Sequence, residues 1–457
     1  MESFFMARKK NKTQKHLTLI NSDAAGIDVG ASSHFVAIPS DRCENNVQEF
    51  ECFTSDLHRL SRWLKENKIK TVAMESTGVY WIPLYEILEE AGFEVKLINA
   101  RYVSNVPGRK TDVLDCQWIQ RLHSYGLLEG AFQPTQTIAP LRAYTRHRAN
   151  WVRYAGKHIQ HMQKALRLMN LNLDQVVSDI TGATGMKIIN ALLKGQRDPY
   201  TLAKLRDNRC RKTEEEIANA LDGHYREEHL FSLQQAKDIF ESYHQQITKI
   251  DKKIQVYLDT LNTNTPEERK KTAIPKKRHV KGAPKFDLQK ELYYLTGVDL
   301  TDIDGINSYT ALKVLSETGT DLTRWSSSKK FCSWLGLAPG SKISGGKILS
   351  SKTKRTTNRA ASALRMSAQS LSNSQSALGA FYRRKRYHLG KAKAITATAH
   401  KLARIIYSML VHGKKFKAST EEDYEKKYQH RIKKNLQQKA KKMGCILVDI
   451  ETGEALS

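Results

Sequence analysis

Ala25-Gly26-Ile27-Asp28-Val29-Gly30, followed by His34-Phe35-Val36-Ala37-Ile38, is the stretch that decides the fold of the first part of this chain. It reads as a strand, a glycine turn and a second strand. Asp28 interrupts the first strand between Ile27 and Val29, and an acid in a buried strand is costly unless it is paired or metal-bound. Working outward, residues 50–53 are a candidate third strand, and 57–67 carry helical periodicity with Leu60 and Leu64 on one face. Thr71, Val72, Ala73 and Met74 form a short apolar strand ending at Glu75. A helix over 80–91 is stopped by Gly92, a strand follows at 95–98, and 111–125 read as a helix with Leu114, Trp118, Ile119 and Leu122 toward the core. Strands alternating with helices predict an α/β domain.

Four acids in this region stand where phosphodiester chemistry needs them. Asp28 lies within a strand, Glu75 ends one, and Asp112 and Asp115 lie three apart on one helical face. Such a set suits two Mg²⁺ ions about 3.5–4 Å apart, an arrangement for in-line attack at phosphorus. Each acid also has a plainer reading: an Asp before glycine is usually a turn residue, and D-x-x-D near a helix start often caps it. Order and setting together suggest a ribonuclease-H-like layout.

The 457 residues carry 75 Lys and Arg against 47 Asp and Glu, a net charge of +28. That excess favours a polyanionic partner, nucleic acid or an anionic membrane surface. From 322 to 420 the sequence has no acid and 21 Lys and Arg. The six cysteines form no CxxC pair, which argues against a zinc ribbon or a secreted disulfide framework. The polar, basic start and the short apolar run at 405–411 predict neither a signal peptide nor a membrane span, so a cytoplasmic protein is expected.

The organisation read from these patterns is a basic arm (1–20), the α/β domain (21–140), a helical, coiled-coil middle (141–265), a flexible basic linker (266–290), a mostly helical second domain (291–412) and a charged tail (413–457). In the middle, Trp151, Tyr154, His158, Met162 and Leu166 repeat at three to four residues, as do Leu233, Ala236, Ile239, Tyr243, Ile247, Ile250, Ile254, Leu258 and Leu261. Two long helices suggest an antiparallel arm or a protomer contact. In the second domain, Ile303-Asp304-Gly305-Ile306-Asn307, opening a helix over Ala311 to Glu317, reads either as a helix-hairpin-helix turn or as a helix cap. The cluster Arg383 to Arg386 reads either as a backbone contact or as a solvated face, and the aromatics Trp325, Tyr382 and Tyr387 as base-stacking or core.

Gly26-Ile27-Asp28-Val29-Gly30, Met74-Glu75-Ser76-Thr77-Gly78 with Tyr80-Trp81, and Gly108-Arg109-Lys110-Thr111-Asp112-Val113-Leu114-Asp115-Cys116 together resemble the amino-terminal domain of the IS110-family transposases. Leu335-Gly336-Leu337-Ala338-Pro339, Ser344-Gly345-Gly346-Lys347, Asn358-Arg359 and Leu364-Arg365 resemble that family's second region. The resemblance implies a RuvC-like DEDD domain whose metal acids are Asp28, Glu75, Asp112 and Asp115, a transposase domain with Ser344 as nucleophile, and Mg²⁺ as the metal. It further implies a prokaryotic, nucleoid-associated homo-oligomer (dimer or tetramer) with a site shared between protomers, acting on donor and target DNA and guided by an element-encoded structured RNA. From the residues themselves, Lys347, Lys352, Lys354, Arg355 and Arg359 are candidates to neutralise phosphate. Ser341, Ser350 and Ser351 rival Ser344, and on the residues alone Ser-Gly-Gly is an ordinary turn. Two other functions fit the composition: a metal-dependent nuclease or junction resolvase that cleaves with water, and a non-enzymatic nucleic-acid packaging protein.

Overall fold

The computed structural model describes residues 18–99, 111–275 and 280–448, which form two compact units divided near residue 133. The first unit is a five-stranded mixed sheet with helices on both faces. Its strands are β1 (Ala24–Val29), β2 (Ser33–Ala37), β3 (Val47–Glu51), β4 (Thr71–Glu75) and β5 (Glu94–Ile98), in the spatial order β3-β2-β1-β4-β5. Strands β1, β2 and β3 pair antiparallel, while β1–β4 and β4–β5 are parallel, as crossover helices require. The third strand lies three residues earlier than the sequence suggested; Phe53 instead precedes helix α1 (Thr54–Glu66) and is exposed.

One face of the sheet buries Ile27, Val29, Val72 and Met74 against Leu57, Leu60 and Leu64 of α1 and Leu84 and Leu88 of α2 (Trp81–Glu90). Alternation sends Gly26, Asp28, Ala73 and Glu75 to the other face. There Ala73 packs with Ile98 and with Ile119 of α3 (Asp112–Ser124). The inward stripe of α3 is Cys116, Ile119 and His123, whereas Leu114, expected in the core, is exposed. Leu114 is two positions, about 200° of helix rotation, from Cys116, so it lies off the inward stripe.

The second unit is helical apart from one hairpin. Helix α4 (Ala139–Leu168) leads into short helices α5 (Leu173–Val176), α6 (Ala183–Leu193), α7 (Pro199–Ala203) and α8 (Glu214–Leu221), then into the long α9 (Glu227–Leu261). Helices α4 and α9 pack along each other, and Met162, Leu166, Leu233 and Phe240 join Ile188, Leu192 and Leu221 in one core. Phe240 is buried and Ile239 exposed, so the register shifts by one residue from the heptad reading at that turn.

Two short helices follow, α10 (Glu267–Lys271) and α11 (Leu288–Thr296). Between them Gly282 is held by the carbonyl bond it accepts from Arg148, and Lys281 pairs with Asp179. The guanidinium of Arg148 is 2% exposed, pairs with Asp251 of α9 and lies over the ring of Tyr309. A buried charge so engaged is costly to expose on one side only, so Arg148 ties α4, α9 and this crossing segment together.

The carboxyl-terminal part contains α12 (Ser308–Thr318), α13 (Ser328–Trp334), β6 (Lys342–Ser344), β7 (Lys347–Ser350), α14 (Arg359–Ser370), α15 (Ala377–Leu389), α16 (Lys391–His412) and α17 (Glu421–Lys442). Asn307 accepts a bond from the Thr310 backbone N–H and caps α12, the simpler of the two readings of that segment. Trp325 and Tyr382 are core, with Trp325 packed against Phe331 and Trp334, while Tyr387 is exposed. Among the described residues no helix is long and apolar enough to cross a membrane.

Candidate active site

The position of Asp28 depends on Gly26. A Cβ at residue 26 would lie 2.1 Å from the Gln120 backbone nitrogen and 2.5 Å from the Cys116 carbonyl oxygen. Glycine therefore lets the backbone of α3 lie directly on β1. Asp28 is two residues along the same face, beside the first turns of that helix. In β1–β4 pairing Ile27 stands opposite Met74, so the next step sets Asp28 beside Glu75 at the carboxyl end of two parallel strands. Open α/β sheets commonly place their sites at this end.

Electrostatics supports the convergence. The buried Cys116 thiol is pushed up to about 12, first by burial and then by the charges of Asp28 and Asp115. Thr111 caps α3 by accepting from the Leu114 N–H, so the partial positive charge of the helix start faces Asp112 and Asp115. Glu75 accepts a hydrogen bond of 2.9 Å from the Thr77 hydroxyl. Asp28, Glu75 and Asp115 are half-buried and Asp112 is exposed. These hard oxygen donors suit a divalent cation such as Mg²⁺ in kind. As the side chains stand, no three acids, histidines or cysteines among the described residues close on a single ion. The matching Gly108, Arg109 and Lys110 lie outside the described residues.

Beneath this face, His123 is fully buried, with Nε2 2.9 Å from the Thr71 hydroxyl. Burial, reinforced by Lys96, pushes its ring down to about 4. A neutral His123 therefore tethers the end of α3 to the start of β4. Apolar periodicity gave no sign of this.

In the second unit Ser344 ends β6 and faces Lys347 across a two-residue turn. Gly345 and Gly346 both have positive φ, 53° and 74°, the type I′ geometry that matches strand twist in tight hairpins. The Ser-Gly-Gly run is thus a fixed turn. Nothing packs where either glycine would carry a Cβ, and Ser344 is exposed. The hairpin is anchored at its base by the Pro339–Thr353 bridge and by a 3.0 Å bond from the Gly340 N–H to the Lys352 carbonyl. Lys347, Lys352, Lys354 and Arg355 are exposed along the hairpin and its return.

Arg359 is apart from them. It lines a cleft of about 460 Å³ between α4, α12 and α14, with Arg146, Lys313 and Glu317. Arg142 and Arg146 of α4 both donate to the nearly buried Glu317 of α12. Sequence reading missed this clamp, because its partners are some 170 residues apart (171 and 175).

A five-stranded mixed sheet in this order, with Asp28 and Glu75 on the face covered by α3, is that of a ribonuclease-H-like, RuvC-type domain, here joined to a helical unit. A DEDD transposase family model matches residues 25–171, and a model described as the transposase IS116/IS110/IS902 family matches residues 299–383. The chain belongs to the IS110 family of transposases, enzymes that cut and rejoin DNA. No curated protein matches it.

Proposed function

We propose that this chain is the recombinase of an insertion sequence, joining donor and target DNA through Ser344 with the help of divalent metal held by Asp28, Glu75, Asp112 and Asp115. The observation that carries the reading is the glycine-tight approach of α3 to β1, which brings Asp115 and Asp28 to one face. Bound Mg²⁺ would offset charge on the reacting phosphate. The Ser344 hydroxyl gives up its proton as its oxygen attacks phosphorus, a phosphoserine ester forms, and the deoxyribose oxygen leaves with the bonding pair and takes up one proton, so the proton count is unchanged. Attack by a second DNA end's hydroxyl reverses the step, rejoins the strand and frees the serine. Lys347, Lys352, Lys354 and Arg355, exposed beside the serine, neutralise backbone phosphates.

The acid-free stretch gives room for two polyanions, DNA and an element-encoded guide RNA. The exposed Ile343, Ile348 and Leu349 on the hairpin give it an apolar face for use in a homo-oligomer. The test uses purified full-length protein, the element-encoded RNA, the element's ends with target DNA, and Mg²⁺. A denaturation-resistant protein–DNA adduct should form, disappear in Ser344→Ala, and fall at least a thousandfold in Asp28→Asn. Cleavage that persists in Ser344→Ala, with no adduct in the parent protein, would instead indicate a water-using nuclease.

A further inference from the structure

The part of the chain beyond residue 383 lies outside both family matches, yet it is built into the second unit. Helix α17 starts with a capping box at Thr420 and is tied back by a 2.9 Å bond from the Ala377 N–H to the Ser419 carbonyl. Arg383 and Arg384 of α15 pair with Glu421 and Glu425, acids that follow directly on the acid-free stretch. Arg384 also lies 3.2 Å above the Tyr428 ring. Two arginines of the basic cluster are thus committed to holding the tail helix.

The docked helix closes a cleft of about 380 Å³ between α15, α16 and α17, walled by Lys385, Lys401, Arg404 and Arg431. Lys401 and Arg404 also line an adjoining cleft of about 1020 Å³, which adds Lys414, Lys415 and Lys417. No acid lines either cleft. Burial and then Arg431 push the Lys401 ammonium below its usual range, and one nitrogen of Arg384, Nη1, is buried with no hydrogen-bond partner. Cations crowded together and partly desolvated in this way are unfavourable until an anion joins them.

We propose that the cleft under α17, continuous with its neighbour through Lys401 and Arg404, is a binding track for the sugar–phosphate backbone of a nucleic acid. The proposal rests on the reading of this chain as a nucleic-acid enzyme. The contact is to backbone rather than to bases, because the available aromatic rings are taken: Lys401 covers Phe381 and Arg384 covers Tyr424 and Tyr428. Such a track positions its ligand without reading sequence.

The experiment measures binding of full-length protein to three probes of equal length by fluorescence anisotropy across a salt series: random duplex DNA, single-stranded RNA and an RNA hairpin. The variant is Arg404→Gln with Arg431→Gln, both exposed positions. We expect affinity to fall on the order of tenfold for at least one probe, with the salt slope shallower by about 1.8 on duplex DNA or about 1.4 on a single strand. The probe most affected identifies whether DNA or RNA occupies the track. Unchanged affinity and slope on every probe, with an unchanged melting curve, would overturn the proposal. Lys401→Met should weaken binding of the same probe, with the slope shallower by about half as much, about 0.9 on duplex DNA or about 0.7 on a single strand. Failure of the recombinase reading looks different: the parent protein binds these probes but forms no adduct with DNA.

Discussion

Asp28 sits on a strand whose neighbour, Gly26, meets the backbone of a helix, whereas Ser344 sits at a turn whose glycines meet nothing. The first position is half-buried, on a central strand paired on both sides and overlaid by a helix. The second is fixed by its own turn, by the pairing of two short strands and by the contacts at the hairpin base, with nothing packed on the turn itself. Carboxylates that repel one another need a rigid scaffold to hold them together. A neutral serine hydroxyl needs no such support, and in the proposed reaction its exposure would let it reach a large substrate.

The contrast can be broken most directly at Gly26. Gly26→Val should destabilise the first unit by about 4 kcal/mol or more, because the clash is with backbone that cannot rotate away. A melt of the variant that matches the parent would show that α3 can lift off β1 at little cost. The next test is pH. Unfolded His123 takes up a proton below about 6.5, while the folded ring resists until about 4. Stability of the first unit should therefore fall by up to about 3 kcal/mol as pH drops through that window, and His123→Gln should flatten the slope in pH-dependent denaturation curves.

Smaller effects belong to the hairpin. Gly346→Ala must hold a left-handed φ of 74° and should cost about 1 kcal/mol, read as a shift in the second unit's melting. Ser344→Ala should change stability by less than about 0.5 kcal/mol, since nothing packs on this turn. A large loss there would mean that the hydroxyl is structural. A last measurement sharpens the first half alone: Asp28→Asn should draw the Cys116 thiol down from about 12, visible in a thiol titration, because one of the two charges raising it is gone.

Most of the first unit was legible because its strands are apolar and its helices amphipathic, and the four acids interrupt those patterns. The packing role of Gly26 was not, since a glycine in a strand gives no sign of what approaches it. In the second unit the two long helices were legible from periodicity, but the choice of Phe240 over Ile239 was not, because neighbouring apolar residues leave the register open. Helix α17 escaped as a docked element for a different reason. It has no buried apolar stripe; its attachment is Glu421, Glu425 and Tyr428 on two arginines, polar pairings that hydrophobic patterning does not register.

The clamp of Arg142 and Arg146 on Glu317 bears on how such a protein evolves and how it is re-engineered. The first family match runs to residue 171 and so includes helix α4, but that helix is folded into the second unit. A hybrid spliced at 171 would bring a foreign α4 to Glu317 and leave Asp251 without the native Arg148. A splice near residue 133 keeps each arginine with its acid, so natural or designed exchange of the two units should be tolerated at that seam and selected against at the other.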